Sequence, residues 1–183
     1  MTLSTTFACA TITLVSALAL GDPKAPAAAM PTAPDELVAA GKAMAGTWSC
    51  KGNITGMDGK PMPMNGTYKN VVELDKFWVH GTFTAKMDPK FTFQSEEYTT
   101  YDPGTKLWKR VWVSNDGGMM WGTAKADPSK QDWEMTTDGP HGQGMIRDHV
   151  DTSDVKAGVK RKLEASVDKG KTWMQVYDLV CKK

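Results

Sequence analysis

Residues 91–125 read FTFQSEEYTTYDPGTKLWKRVWVSNDGGMMWGTAK, and this stretch decides the fold. Phe91 to Tyr101 has the pattern of a strand, with Phe91 and Phe93 two apart and so on one face. Asp102-Pro103-Gly104 interrupts it with turn chemistry: proline presets φ and glycine admits positive φ. Leu107 to Ser114 follows as a second strand, with Leu107, Val111 and Val113 on one face and Trp108, Arg110 and Trp112 on the other. Asn115-Asp116-Gly117-Gly118 is a hairpin signal, and Met119 to Lys125 is the returning strand.

The same rhythm extends in both directions. Upstream, strands are expected over Thr47–Ile54, Gly66–Leu74 and Phe77–Ala85, separated by Met57-Asp58-Gly59-Lys60-Pro61 and Asp75-Lys76. Downstream, they are expected over Asp132–Thr137, Met145–Asp151, Val155–Val167 and Thr172–Cys181, with Asp168-Lys169-Gly170-Lys171 as the last hairpin turn. Short links make neighbours in sequence neighbours in space, which predicts an up-and-down antiparallel meander of about ten strands. Left open, such a meander exposes two unpaired edges; closure removes both, so a β-barrel is favoured over a sandwich. A short helix precedes the strands. Thr32 is its expected cap, Pro34 and Asp35 fall in its first turn, and Leu37, Gly41 and Met44 share a face before Gly46.

The chain divides into three segments. Residues 1–21 have the character of a signal peptide: Phe7 to Leu20 is an uncharged apolar run of 14 residues, and Ala19-Leu20-Gly21 offers small residues for cleavage before Asp22 or after Ala19. The run lacks a preceding Lys or Arg, and a cytosolic protein with an apolar tail is the alternative. Residues 22–34, with Pro23, Pro26, Pro31 and Pro34 among alanines, have the composition of an extended linker. Residues 35–183 form the barrel domain. With 40% hydrophobic residues the chain can build a core, and no membrane span is expected after signal removal. A formal net charge of +1 gives no electrostatic case for nucleic acid. The densest basic cluster, Lys160-Arg161-Lys162, is expected at the solvated end of a strand. A monomer is the default expectation.

After signal removal two cysteines remain, Cys50 in the first strand and Cys181 at the end of the last. Those strands meet if the meander closes, and an exported protein can join them by a disulfide. Two separate buried thiols are the other reading.

An ordered series of short motifs runs along the domain. Gly46-Thr47-Trp48 follows the helix, then come Tyr101-Asp102-Pro103, Trp121-Gly122 and Met135-Thr136-Thr137-Asp138-Gly139-Pro140. Arg147-Asp148 and finally Trp173 with Tyr177 complete it. This series resembles a bacterial family of lipocalin-like single domains of unknown function, over roughly residues 35 to 181. The resemblance implies a calycin-type antiparallel barrel and no established activity. The proline-rich start, Cys50 and Cys181 depart from the family pattern.

Catalytic signatures are thin. The chain has no Gly-x-Ser-x-Gly, His-Glu-x-x-His, Walker loop or Cys-x-x-Cys. Cys50 as a nucleophile would need His80 or His149 as base, and a disulfide would silence it. Binding chemistry is better represented. Seven Trp and twelve Met suit either a plain core or an adaptable apolar cavity lined by Trp112, Trp121 and Trp133. Arg110 sits between Trp108 and Trp112, as an anion anchor or a stacked cation. Met145, Arg147 and His149 share a strand face opposite Ile146 and Val150, with Asp148 between that pair. The Arg147 and His149 face points either inward, as a polar anchor, or out to solvent. Related calycin barrels include haem binders with one histidine ligand, for which His80 and His149 are the strand candidates. The reading that unites these features is an exported, non-catalytic barrel for an apolar or amphipathic small molecule. Its expected site residues are Arg110, Trp112, Trp121, Arg147 and His149, with no metal. The alternatives are a filled structural or interaction barrel, or a haem protein.

Overall fold

The structure is a computed structural model that describes residues 31–56, 58–125, 127, 129–140 and 142–183. The signal-peptide expectation, and all of the linker except residues 31–34, lie outside the described residues. Thr32–Lys183 forms one compact unit. It comprises α1 (Asp35–Met44) and ten strands: β1 (Gly46–Thr55), β2 (Pro61–Glu73), β3 (Trp78–Lys86), β4 (Thr92–Asp102) and β5 (Leu107–Ser114), then β6 (Met119–Lys125), β7 (Lys130–Asp138), β8 (Gly144–Asp151), β9 (Val159–Ser166) and β10 (Met174–Lys182). Each strand pairs antiparallel with the next, and β10 pairs with β1, so the sheet is a closed up-and-down barrel. No helix among the described residues is long and apolar enough to cross a membrane.

Closure rests on the pairing of β1 with β10, in which Cys50 stands directly opposite Cys181. Their side chains form a disulfide across the seam, with Cα atoms 3.9 Å apart and 131 residues between them. In the chain-entropy account, a loop of that length stabilises the fold by about 5 kcal/mol before strain is counted. The two-thiol alternative is thereby set aside.

Strand ends depart from the sequence expectation where prolines and Asx turns intervene. β2 begins at Pro61 and not at Gly66. Pro61 and Pro63 lie beyond the last β2–β3 pair, Gly66 with Ala85, where β2 has a neighbour on one side only. A missing N–H is tolerated there. β9 begins at Val159 and not at Val155, because Asp154 accepts bonds from the Ala157 and Gly158 amides and turns the chain first. β10 starts at Met174 and not at Thr172, whose amide and hydroxyl are held by Asp168. At the helix, Pro34 is the N-cap and makes no side-chain cap bond, so Thr32 does not serve as expected.

α1 closes one end of the barrel. Leu37 and Gly41 are buried against it. A Cβ on Gly41 would lie 2.8 Å from Val72 Cγ2, so only glycine lets the helix seat this closely. The last turn is tied down from inside: Trp48 Nε1 donates to the Met44 carbonyl at 2.8 Å, and Asn70 Nδ2 donates to the same oxygen at 3.3 Å. A carbonyl that the helix leaves without a partner is thus satisfied by the barrel wall.

Candidate functional site

Strand alternation sends one residue in two into the barrel. From β5 these are Trp108, Arg110 and Trp112; from β8, Ile146, Asp148 and Val150; from β4, Ser95, Glu97 and Thr99. β9 adds Arg161 and Leu163, and β2 adds Tyr68. At mid-height the polar members meet in one layer. Arg110 Nη1 and Arg161 Nη2 each donate to Asp148 Oδ2 at 2.7 Å. Tyr177 donates its hydroxyl to Asp148 Oδ1 at 3.2 Å. Glu97 also faces both arginines, with Oε1 3.4 Å from Arg110 Nε and Oε2 3.4 Å from the same Arg161 Nη2 that donates to Asp148. Aromatic rings flank the cations: Arg110 lies 3.7 Å from the Trp133 ring centroid and Arg161 lies 5.0 Å from that of Tyr68. The Tyr68 ring reaches its place because it crosses Gly81, where a Cβ would stand 2.7 Å from it.

The electrostatics of the layer follow from this packing. Burial works to raise the Asp148 carboxyl, but the charges and hydrogen bonds of Arg161 and Arg110 outweigh it and hold the group below its ordinary value. Burial likewise disfavours the charged form of Arg161, and Asp148 overcomes it, so the guanidinium stays protonated. Tyr68 and Tyr177 are pushed up, chiefly by burial, and both stay neutral donors. Two guanidinium groups therefore face two carboxylates, and the layer balances.

The layer separates two cavities. The one beneath α1, of about 280 Å³, is bordered by Met44, Trp48, Val79, Trp108 and Val159. The other, of about 380 Å³, lies toward the loop end, where the Ser114–Gly118 turn and Gly142–Gly144 form part of its rim. Phe83, Phe93, Trp112, Met120, Ile146 and Leu163 give it an apolar wall, and the disulfide sits in that wall. A bulge in β10 between Gln175 and Tyr177 turns both Val176 and Tyr177 toward it.

The expected site residues divide between the two faces of the barrel. Arg110 and Trp112 point inward, though Arg110 borders the cavity beneath α1 and Trp112 the loop-end cavity. Trp121 is on the outer face, 41% exposed, and Trp133 is buried under Arg110. Arg147 is exposed and stacks on Trp173, 3.9 Å from its centroid. His149 lies on the same outer face, with Nδ1 2.6 Å from Asp132 and Nε2 3.4 Å from Glu164. The outward alternative for Arg147 and His149 thus holds, because Asp148 takes the inward position and finds two buried cations there. Arg161 corrects a second expectation. It is not at a solvated strand end but inside the barrel, while Lys160 and Lys162 point out.

Glu97, Asp148, Arg161, Tyr68 and Tyr177 were not among the expected site residues. The available signal was Asp148 itself, an acid on the same face as Ile146 and Val150, which required a buried cation. Neither His80 nor His149 borders either of these two cavities. His80 stacks on Tyr98 and is held by Glu96 and Glu73 on the outer face, so His80 and His149 do not fit as ligands of a haem inside the barrel. Among the described residues no group of three or more His, Cys, Asp or Glu side chains is placed to hold a metal ion.

These features define a class: a closed ten-stranded antiparallel barrel, capped at one end by a helix and crossed by a buried charged layer. Residues 39–183 match the family described as "Protein of unknown function (DUF1579)", and the chain belongs to that family. Among solved structures the fold is similar to that titled "Crystal Structure of Rv2717c from M. tuberculosis", with a TM-score of 0.63 and 11% identity. The match covers 82% of this chain and 98% of that one. At that identity the likeness carries the fold alone. No curated protein matches the chain.

Proposed function

We propose that the protein is an exported, monomeric, lipocalin-like barrel that binds a small apolar or amphipathic molecule and does not transform it. The observation that carries this reading is the loop-end cavity of about 380 Å³. Its volume and its wall of aromatic and aliphatic side chains suit a small ligand with few polar groups. A space of that size also favours a carrier over a barrel filled by its own side chains. Binding without turnover is supported by the state of the nearby reactive groups. Cys50 and Cys181 are joined, and the charged groups of the layer engage one another. Export is supported by the disulfide, since such bonds persist in oxidising compartments.

Native mass spectrometry of the protein purified from its own host tests the carrier reading. The expected result is a bound mass that denaturation releases. No released molecule, together with no binding of an uncharged fluorescent probe, would overturn it. N-terminal sequencing of the same material is expected to begin at Asp22 or Leu20; an intact Met1 would remove the export reading.

A further inference from the structure

The loop-end cavity has a chemically specific floor. Arg161, Tyr68 and Tyr177 border it, and Arg161 belongs to a quartet of two cations and two anions that is already neutral. The acceptors of that quartet are occupied: Asp148 Oδ2 takes both arginines, its Oδ1 takes Tyr177, and Glu97 faces both arginines. One donor is left over. Arg161 Nε is buried and has no hydrogen-bond partner among the described residues. A buried donor without a partner is costly, and a ligand oxygen can relieve it once the Arg161 side chain shifts to expose it.

An anion cannot use this donor cheaply. A carboxylate at the floor would add a third negative charge to a balanced layer inside an apolar cavity, at a desolvation cost that no free cation among the described lining residues repays.

We infer that the cavity takes molecules with an apolar body and an uncharged hydrogen-bond acceptor as head, such as an ester or ketone carbonyl, in preference to the corresponding carboxylate. This rests on the reading of the loop-end cavity as a ligand site and names the ligand class for it. The Arg161 Nε–H is the donor that meets the head, since the Tyr177 hydroxyl already donates to Asp148. The apolar body lies along Phe83, Phe93, Trp112 and Leu163.

The test is displacement of N-phenylnaphthylamine from the delipidated barrel by methyl dodecanoate and by dodecanoate, which share one tail. At neutral pH, methyl dodecanoate is expected to bind roughly tenfold tighter or more. Glu97→Gln leaves the layer one positive charge in excess, and it should narrow or reverse that preference. Equal or tighter binding of dodecanoate by the unaltered protein overturns the inference while leaving the carrier reading standing. Failure of the probe and both ligands to bind overturns both. A preference that Glu97→Gln leaves unchanged in a folded variant overturns the charge-balance account. If that variant does not fold, the wild-type pair decides alone.

Discussion

The two ends of the barrel interior are built from similar strands and differ in what stands over them. At the α1 end, Leu37 is buried and the helix is tied to the wall through Trp48 and Asn70. At the other end the strands finish in turns, and nothing comparable to α1 lies across the larger cavity among the described residues. Between them, the Glu97–Arg110–Asp148–Arg161 layer carries all four charges. The helix end is tied down by packing and hydrogen bonds, and on the carrier reading proposed above the uncovered loop end is the way in. The layer lets one barrel hold both, because buried charges that satisfy one another form a rigid partition.

The largest effect is expected from breaking the partition. Asp148→Asn leaves two buried guanidinium groups facing one carboxylate and should cost about 3–5 kcal/mol of stability in chemical denaturation. A loss under about 1 kcal/mol would mean that the layer is not a structural divider.

Unseating the helix is expected to cost less and to act on one end only. Gly41→Leu places a side chain where even a Cβ meets Val72 at 2.8 Å. Overpacking of this kind should cost about 1–3 kcal/mol. Affinity for the uncharged probe at the loop end should stay unchanged. A parallel fall in probe affinity would show that the two ends are coupled.

The smallest effect is expected on the outer face, which serves as a control for both. Burial opposes protonation of His80, but hydrogen bonds and charge from Glu96 and Glu73 prevail and raise its imidazole above 6.5. A raised folded value means that the stabilisation is full below the unfolded value and is lost as pH rises through the folded one. Wild type should therefore exceed His80→Gln in stability at mildly acid pH, and the two should converge as the solution becomes alkaline. A gap that instead widens with rising pH would reverse the sign and contradict the carboxylate contacts.

The fold was legible in the residues to a large degree. The expected strands all occur, and Leu107–Ser114 and Met119–Lys125 have the bounds that alternation and turn chemistry predict. The ends that moved most, at Pro61, Val159 and Met174, are set by a one-sided strand edge or by an aspartate-held turn, and most others shift by one or two residues. The site was legible only in part. Trp112 and Arg110 lie on the inward face of β5, but Trp121, Arg147 and His149 lie outside, and Arg161 was misjudged by its two lysine neighbours.

What the sequence determined by itself was the antiparallel meander, with closure as its favoured outcome; the bridged seam was one of two readings. Strand period and turn preference are local properties, and ten short-linked strands have one economical way to hide their edges. What only the tertiary structure decided was which face of β8 looks inward and what balances Asp148. Its partners, Arg110 and Arg161, stand 38 and 13 residues away along the chain, and no local pattern encodes their meeting. A buried charge is tolerated only where distant strands deliver its counter-charge, so the interior chemistry of this barrel emerged only once the sheet was closed.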